Sequence, residues 1–274
     1  MAVVEIEKSL HFSECWQQSE LLVSSSGFVK TDSHWRQKVL PVPYSRVYFV
    51  TEGSGMLISD REEMLLEPGY LYLAPCGSPC GFYGTDTVTK LFFHINVIMP
   101  NGYDMFASCK TFARIPFASS RTLKLRDWYL SEDTLKQTLL KGAIWEIVAA
   151  FANKLHLTDE DQGRYSELVR RTIVYIREHL TACLTINAVA NGVFCSPGTL
   201  TQAFRNELGV TIAQYIEDLV LQEAQWRLLD TEDTIGKISA DLGFCDQFYF
   251  TRRFTKRFQI TPRDYRKNRA KYGR

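Results

Sequence analysis

Several patterns that mark enzymes and membrane proteins are missing from this sequence. No uncharged apolar run reaches the roughly 18 residues that a membrane-spanning helix requires. The first residues carry acids where a secretory signal carries bases. The sequence also lacks a His-x-His motif, which is typical of metal-binding β-barrels. Neither a nucleophile beside a base nor a glycine-rich phosphate loop is present. These absences predict a soluble, cytoplasmic protein without catalytic residues, metal or cofactor.

The cysteine content argues against a disulfide-stapled protein. Seven cysteines, an odd number, are scattered from Cys15 to Cys245 without a framework of paired spacings. Cys76 and Cys80 have neither the spacing of a zinc site nor that of a thioredoxin motif. With 45% hydrophobic and 23% charged residues, the chain of 274 residues can bury real cores, which excludes wholesale disorder and suits two domains.

The net charge of +1 conceals two halves of opposite sign. Residues 1–163 carry 15 Lys and Arg against 19 Asp and Glu, whereas residues 164–274 carry 17 against 12. The last 24 residues hold ten bases and a single acid, Asp264. A basic carboxyl-terminal half predicts polyanion binding there, although a merely solvated surface would carry the same charges.

The first third of the chain has the pattern of an antiparallel β-sheet. Short β-branched and aromatic runs alternate with polar, Gly-rich or Pro-rich turns at roughly ten-residue spacing. The predicted strands are Ser45–Thr51, Met56–Ser59, Tyr70–Ala74 and Lys90–Val97. This succession predicts a β-sandwich or a β-barrel.

Helical patterns replace the strands after about residue 123. Apolar residues recur at helical spacing in Asp133–Leu157, residues 158–163 form a polar linker, and the chain from Tyr165 onward is predicted to be helical. The fold class is therefore α+β in two domains. The predicted boundaries are 1–122 for the β domain, 123–163 for a helical segment and 164–271 for the all-α domain.

The all-α domain contains an internal repeat. A shift of 50 residues aligns three aromatic pairs, which are Phe194 with Phe244, Phe204 with Phe254 and Tyr215 with Tyr265. In each copy a short helix, a tight turn and a capped second helix follow one another, which is the helix-turn-helix signature. The predicted caps of the second helices are Ser196, followed by Pro197, and Asp246, while Gly209 ends the first of them.

The second helix of each copy has an apolar stripe and an opposite outward face at 100° per residue. The predicted core stripes are Leu200, Phe204 and Leu208, and Phe250, Phe254 and Phe258. The predicted outward faces are Gly198, Gln202, Arg205 and Asn206, and Phe248, Arg252, Thr255 and Lys256. Glutamine and arginine bond adenine and guanine edges bidentately, so these faces suit a major groove. Any amphipathic helix exposes polar residues, but a duplicated, capped and basic arrangement favours DNA.

The stretch Ile235–Arg266, IGKISADLGFCDQFYFTRRFTKRFQITPRDYR, resembles the signature of the AraC/XylS family of bacterial transcription regulators. It departs from that signature at Ser239, Phe248, Thr255 and Gln259. A glycine is usual at the position of Gln259, where a helix ends and positive φ is favoured, so we expect a modest loss of stability there.

The resemblance implies that two recognition helices read DNA. The base-contacting positions that it implies are Gly198, Thr201 and Gln202, and Gln247, Phe248, Thr251 and Arg252; the outward Arg205 is added to them. The predicted phosphate-contacting residues are Asn206, Lys256, Arg257, Arg263 and Lys267. For Phe248, contact with a thymine methyl and packing on its own domain remain equal alternatives.

The β domain resembles the cupin-like arm of the same family, through the glycine and proline rhythm of Thr51–Pro75. That resemblance implies a small-molecule effector of unknown identity. The candidate pocket residues are Arg46, Tyr48, His34 and His94. Arg46 is alternatively a surface arginine at a strand end, and His94 is alternatively a hydrogen-bonded core histidine.

The predicted function is a transcription regulator that binds operator or promoter double-stranded DNA and responds to an effector. The apolar face of Asp133–Leu157 predicts a homodimer, with packing on the β domain as the alternative. RNA polymerase is a further predicted partner, and a membrane is not. The sequence leaves two alternative functions open: a constitutive DNA-binding regulator whose barrel only dimerises, and a cupin-type metalloenzyme with an accessory helical domain.

Overall fold

The computed structural model describes residues 19–31, 36–84, 87–157 and 165–267. The strands in these residues are β1 (Glu20–Thr31), β2 (Arg36–Leu40), β3 (Ser45–Glu52), β4 (Gly55–Ile58), β5 (Glu63–Leu66), β6 (Tyr70–Ala74), β7 (Cys80–Gly84), β8 (Val88–Ile98) and β9 (Ala113–Pro116). Strands β3, β4, β6 and β8 confirm the four predicted runs. The sequence did not predict β1, because its serines and glycine hide the alternation on which such a prediction depends.

The strands form two antiparallel sheets packed face to face. One sheet has the order β1-β8-β3-β6-β9 and the other the order β2-β7-β4-β5. The end strands of the described part do not pair with each other, so the arrangement is an open sandwich and the predicted alternative of a closed barrel is wrong. A shared apolar layer, with Tyr48, Leu57, Tyr72 and Phe82, fills the space between the sheets.

The register of β3 and β8 decides which side chains enter that layer. Arg46 pairs with His94 and Tyr48 pairs with Phe92. Because successive side chains in a strand point to opposite faces, these four share one face of the sheet, opposite to Val47. Val47 belongs to the core on the other side, where helices cover the sheet.

Helices α1 (Ser119–Tyr129) and α2 (Thr134–Lys154) pack on that outer face. Ile144, Val148 and Phe151 of α2 are buried against sheet residues. Most of the apolar face that predicts a homodimer is therefore covered by the chain's own sheet, which is the alternative given above, whereas Leu135 and Leu139 at the start of α2 are exposed. Helix α1 begins four residues before the predicted start of the helical segment at residue 123.

The remaining described residues form an all-α region. Its helices are α3 (Glu167–Glu178), α4 (Ile186–Gly192), α5 (Pro197–Leu208), α6 (Ile212–Asp230), α7 (Ile235–Asp241), α8 (Gln247–Phe258) and α9 (Pro262–Lys267). Helix α6 lies between the two repeats, and its Tyr215 is buried with Phe204, Phe250 and Phe254 in one core. No helix of the described residues combines the length and the apolarity that crossing a membrane requires.

Two segments of the sheet region contact the all-α region. The Tyr215 hydroxyl donates to the Asn101 carbonyl at 2.9 Å, and the Tyr103 and Tyr215 rings meet edge to face at 5.1 Å. The Gln225 amide and the Tyr265 hydroxyl both donate to the Pro41 carbonyl, at 3.4 and 3.3 Å. The segments around Pro41 and Asn101 therefore hold the two regions together.

Candidate nucleic-acid interface

The first helix pair consists of α4 and α5. The Ser196 hydroxyl accepts from the Thr199 amide at 3.2 Å, and Pro197 follows at the first helical position. Gly209 ends α5 in the left-handed region at φ 73°. These observations confirm the predicted cap, the predicted proline position and the predicted helix end.

The second helix pair, α7 and α8, repeats the arrangement. The Asp246 carboxylate accepts from the Tyr249 amide at 2.7 Å, which confirms the predicted cap and lowers the pKa of Asp246. Gln259 ends α8 in the left-handed region at φ 57°. The turn of this pair passes through Gly243 at φ 78°, and that of the first pair through Phe194 at φ 56°.

The exposed faces of α5 and α8 lie opposite their buried stripes, as predicted, except that Thr255 of the predicted outward face is half-buried. Leu200 and Phe204, and Phe250 and Phe254, are fully buried. The exposed residues from the predicted DNA face are Gly198, Gln202, Arg205, Asn206, Gln247, Phe248, Arg252 and Lys256, while Thr201 and Thr251 are half-buried. Phe248 is 78% exposed, so it does not pack on its own domain, and the thymine-methyl alternative remains.

Each helix pair borders an open groove. The first is lined by Ile186 and Asn187 of α4 and by the outward residues of α5, among them Gln202 and Arg205. The second is lined by Ile235 of α7, Gln247 of α8, and Arg263 and Lys267 of α9. The fold thus brings a predicted base-contacting residue and two predicted phosphate-contacting residues to one groove.

Helix α8 is tied to α6 by arginines. Arg253, which the sequence did not single out, forms a bidentate ion pair with Glu217. Arg257, a predicted phosphate contact, donates to Asp218 at 3.2 Å. Because Arg257 already has a carboxylate partner on α6, contact with a phosphate would require it to exchange or share that partner. The neighbouring Lys256, also a predicted phosphate contact, is exposed.

The candidate pocket residues of the sheet region are buried. Arg46 is 1% exposed, which rules out a surface arginine, and its Nη1 donates to the Cys80 carbonyl at 2.9 Å. His94 lies opposite Arg46 and stacks on Tyr44 with ring centroids 4.3 Å apart. Tyr48 faces the same layer, whereas His34 lies outside the described residues.

Lys90 is a further buried base, which is not among the predicted pocket residues. It is 1% exposed, and its Nζ lies 4.4 Å from the Tyr48 ring centroid and 4.0 Å from that of Phe82. Burial lowers the pKa of both Lys90 and His94, and the positive charge of Arg46 lowers both further. The available signal was the spacing, because Lys90 and His94 are four residues apart on one strand and so share a face. Within the described residues, His, Cys, Asp and Glu side chains nowhere gather in threes as a metal site would need.

Replacing Gln259 with glycine should raise the free energy of unfolding by about 1 kcal/mol, because glycine adopts positive φ without steric strain. The exposed Gln259 side chain donates only to the Lys256 carbonyl, so little else is lost. Urea denaturation measures the change. The reverse substitution in the first copy, Gly209→Gln at φ 73°, is the matched control and should lower stability by a similar amount. A loss of stability in Gln259→Gly would contradict the expectation.

Comparisons with known proteins agree with this geometry. The profile of a helix-turn-helix domain matches residues 189–268. The arabinose operon regulatory protein of Escherichia coli (strain K12) is 34% identical over 232 residues, which cover 78% of this chain and 77% of that protein. An uncharacterized HTH-type transcriptional regulator of Bacillus subtilis, YobQ, is 28% identical over 226 residues, covering 81% and 86%. The crystal structure of an apo variant of ToxT from Vibrio cholerae has a TM-score of 0.52 at 11% identity, covers 90% of this chain and 96% of its own, and so shares the fold.

Proposed function

Because the chain belongs to the AraC/XylS family and is a DNA-binding transcriptional regulator, we propose that both helix pairs are helix-turn-helix motifs. Helices α5 and α8 enter successive major grooves on one face of operator DNA, about 34 Å apart. The observation that carries this proposal is the duplication itself. Each pair has a capped second helix with a buried apolar stripe and an exposed, mainly polar face opposite to it.

The roles follow from exposure and chemistry. In α5, the base-contacting side chains are those of Gln202 and Arg205, whose donors can bond base edges, and that of Thr201 beside them. Gly198 has no side chain, so it allows close approach to the DNA and does not distinguish between bases. In α8, the base-contacting residues are Gln247, Phe248, Thr251 and Arg252. The residues that contact phosphates and set the register are Asn206, Lys256, Arg257, Arg263 and Lys267.

The Arg252→Ala variant should bind its DNA more weakly by about 1 to 3 kcal/mol and should lose one base preference. Arg252 is exposed on the groove face of α8, so its removal leaves the core intact. The measurement is fluorescence anisotropy with the fragment that the wild-type protein selects from a random-sequence pool. Arg121→Ala, an exposed arginine on α1, is the control. Unchanged affinity and base preference in Arg252→Ala would refute the role.

The Lys256→Ala variant should weaken binding to all sequences alike, since a phosphate contact carries no base information. The slope of log affinity against log salt should become shallower by about one unit. Titrations at several salt concentrations, on the selected fragment and on a scrambled one, give both quantities. A loss confined to the selected fragment would contradict the phosphate role.

The sheet region serves as a cupin-like effector domain, whose interior takes a small molecule that alters DNA affinity. The burial of Arg46 and His94 beside aromatic residues supports this role. A constitutive regulator would show no ligand-dependent rise in melting temperature across a metabolite panel. A cupin-type metalloenzyme would instead contain stoichiometric metal, which metal analysis of the purified protein measures. We propose no catalytic role for the chain.

A second copy of the chain is the other proposed partner, with RNA polymerase as a further one. Leu123 and Leu130 on and after α1, and Leu135 and Leu139 at the start of α2, are exposed large apolar residues. Because Leu135 and Leu139 are four residues apart on α2, their side chains share one face of that helix, and an exposed apolar face is typical of an interface. Analytical ultracentrifugation of a Leu135→Glu, Leu139→Glu double variant tests it, and an unchanged dimer fraction would exclude this surface.

A further inference from the structure

Two arginines of α8 bridge that helix to α6. Arg253 forms a bidentate ion pair with Glu217, and Arg257 donates to the Asp218 carboxylate at 3.2 Å. The two acids are adjacent on α6, and the two arginines lie one turn apart on the same face of α8. The two contacts differ in geometry, because both carboxylate oxygens of Glu217 accept from Arg253, whereas Asp218 accepts a single bond from Arg257. A bidentate pair restricts orientation as well as distance.

The bridged part of α6 is also the part that holds α5. Only three residues, 209–211, separate the end of α5 from the start of α6. Thr211 caps that start, and the Tyr215 ring meets the Phe204 ring of α5 edge to face at 5.3 Å. Glu217 follows two residues after Tyr215, so its ion pair joins α8 to the turn of α6 on which α5 packs.

The same pair fixes the rotation of α8 about its own axis. Arg253 follows Arg252 directly, so its side chain leaves the helix about 100° from that of Arg252, which lies on the predicted DNA face. Holding Arg253 against Glu217 therefore fixes the direction in which that face points. The Arg253 and Glu217 side chains are 32% and 31% exposed, and ion pairs at this exposure contribute little to stability. The contribution of this pair is to the geometry of the two recognition helices.

We infer that the Glu217–Arg253 pair positions α8 relative to α5 and thereby sets the spacing of the two DNA elements that the chain binds together. The inference rests on the proposed entry of α5 and α8 into successive major grooves, and it adds the residues that fix the distance and angle between them. The pair acts through the position of α8, without contact to DNA. One base pair inserted between the elements moves the second by about 3.4 Å and rotates it by about 34°, which helices held rigidly cannot follow.

The test compares spacings on DNA that the wild-type protein selects from a random-sequence pool. One base pair is inserted into, or deleted from, the segment between the two elements, and fluorescence anisotropy with the full chain gives the affinity for each fragment. The wild type should bind the selected spacing about tenfold more tightly than either changed spacing, and Glu217→Gln and Arg253→Met should each reduce that ratio to about threefold or less.

The two variants change the net charge in opposite directions, which separates position from electrostatics. Glu217→Gln removes an acid and Arg253→Met removes a base. A general charge effect would therefore strengthen DNA binding in the first variant and weaken it in the second, at every spacing alike. A loss of folded protein would likewise scale all affinities by one factor and leave the ratio between spacings unchanged.

The matched control is Asp218→Asn, because it removes the same charge as Glu217→Gln from the adjacent residue of α6. It releases only the single bond to Arg257, so the spacing ratio should stay within about twofold of the wild-type value. An unchanged ratio in Glu217→Gln or in Arg253→Met, or an equal fall in Asp218→Asn, would overturn the inference alone. A wild type that binds all three spacings equally would overturn the proposed entry into two grooves, and the inference with it.

Discussion

Replacing Asp104 with alanine should lower the free energy of unfolding by about 3 kcal/mol at pH 8, although the residue lies in a loop. Its carboxylate accepts from the Val97 amide and the Asn96 side chain at 3.0 Å each, and from the Phe106 amide at 2.9 Å. The residue is only 8% exposed, so alanine leaves three buried donors without their acceptor. Asn96 also donates to the Pro43 carbonyl at 2.8 Å, which links Asp104 to both segments that contact the all-α region.

The loss should also depend on pH. Burial raises the pKa of Asp104 from 3.8 to about 6, so between those values the folded protein holds a proton that the unfolded chain has released. The contribution of Asp104 to stability is therefore full below about pH 4 and declines as pH rises through 6. We expect Asp104→Ala to be more destabilising at pH 5 than at pH 8, by about 1 kcal/mol.

Urea denaturation of Asp104→Ala at both pH values measures this, with Asp127→Ala as the control. Asp127 is exposed and pairs only with its neighbour Arg126, so its removal should change stability by less than about 0.5 kcal/mol at either pH. A larger loss at pH 8 than at pH 5 would show that the pKa of Asp104 is not raised. Equal losses in the two variants would show that the buried acceptor is dispensable.

Replacing Gly53 with alanine should lower the free energy of unfolding by about 3 kcal/mol or more. Gly53 has φ +74° in the turn between β3 and β4, and an added Cβ would lie 1.7 Å from the carbonyl oxygen of Thr87. That oxygen belongs to the backbone just before β8, so it cannot move aside as a side-chain end would. The strain would therefore spread into β3 and β8, the two strands that carry Arg46, Lys90 and His94.

The Gly77→Ala variant separates the cost of a positive φ from the cost of the close contact with Thr87. Gly77 has φ +73°, almost the same as Gly53, but an added Cβ there meets nothing within 4 Å. The free energy of unfolding of Gly77→Ala should therefore fall only by the cost of placing alanine at positive φ, about 1 to 2 kcal/mol. Thermal and urea denaturation of both variants give the difference between them. Losses of the same size would mean that the close approach to Thr87 does not matter.

The helix ends and caps were predictable because each depends on residues within one helical turn. Ser196 and Asp246 cap helices that begin one residue later, and Gly209 and Gln259 end them with positive φ. The outward faces of α5 and α8 were predictable for the same reason, since helical period alone places residues such as Gln202 and Arg252 opposite the buried phenylalanines. Which of these residues contact DNA stays a prediction.

Other features depend on which elements pack together, which no local pattern decides. Lys90 begins an apolar strand like many surface lysines, and its burial follows from the second sheet that covers it. The apolar face of α2 could equally have met a second copy or the chain's own sheet, and only the packed structure shows the sheet. The sequence predicts a phosphate contact for Arg257 but gives no sign of its partner Asp218, because that residue lies on another helix.

The succession of a strand-rich part and a helical part, the repeat, the caps and the family signature were determined by the sequence itself, because periodicity and capping act between near neighbours. The tertiary structure alone decided that Arg46, Lys90 and His94 are buried and that the Tyr44 ring contacts both His94 and Trp226. It also brought Gln225 to the Pro41 carbonyl, 184 residues away along the chain. Such contacts depend on how whole sheets and helices pack, and that packing is set by the sum of many weak apolar contacts and by no single motif.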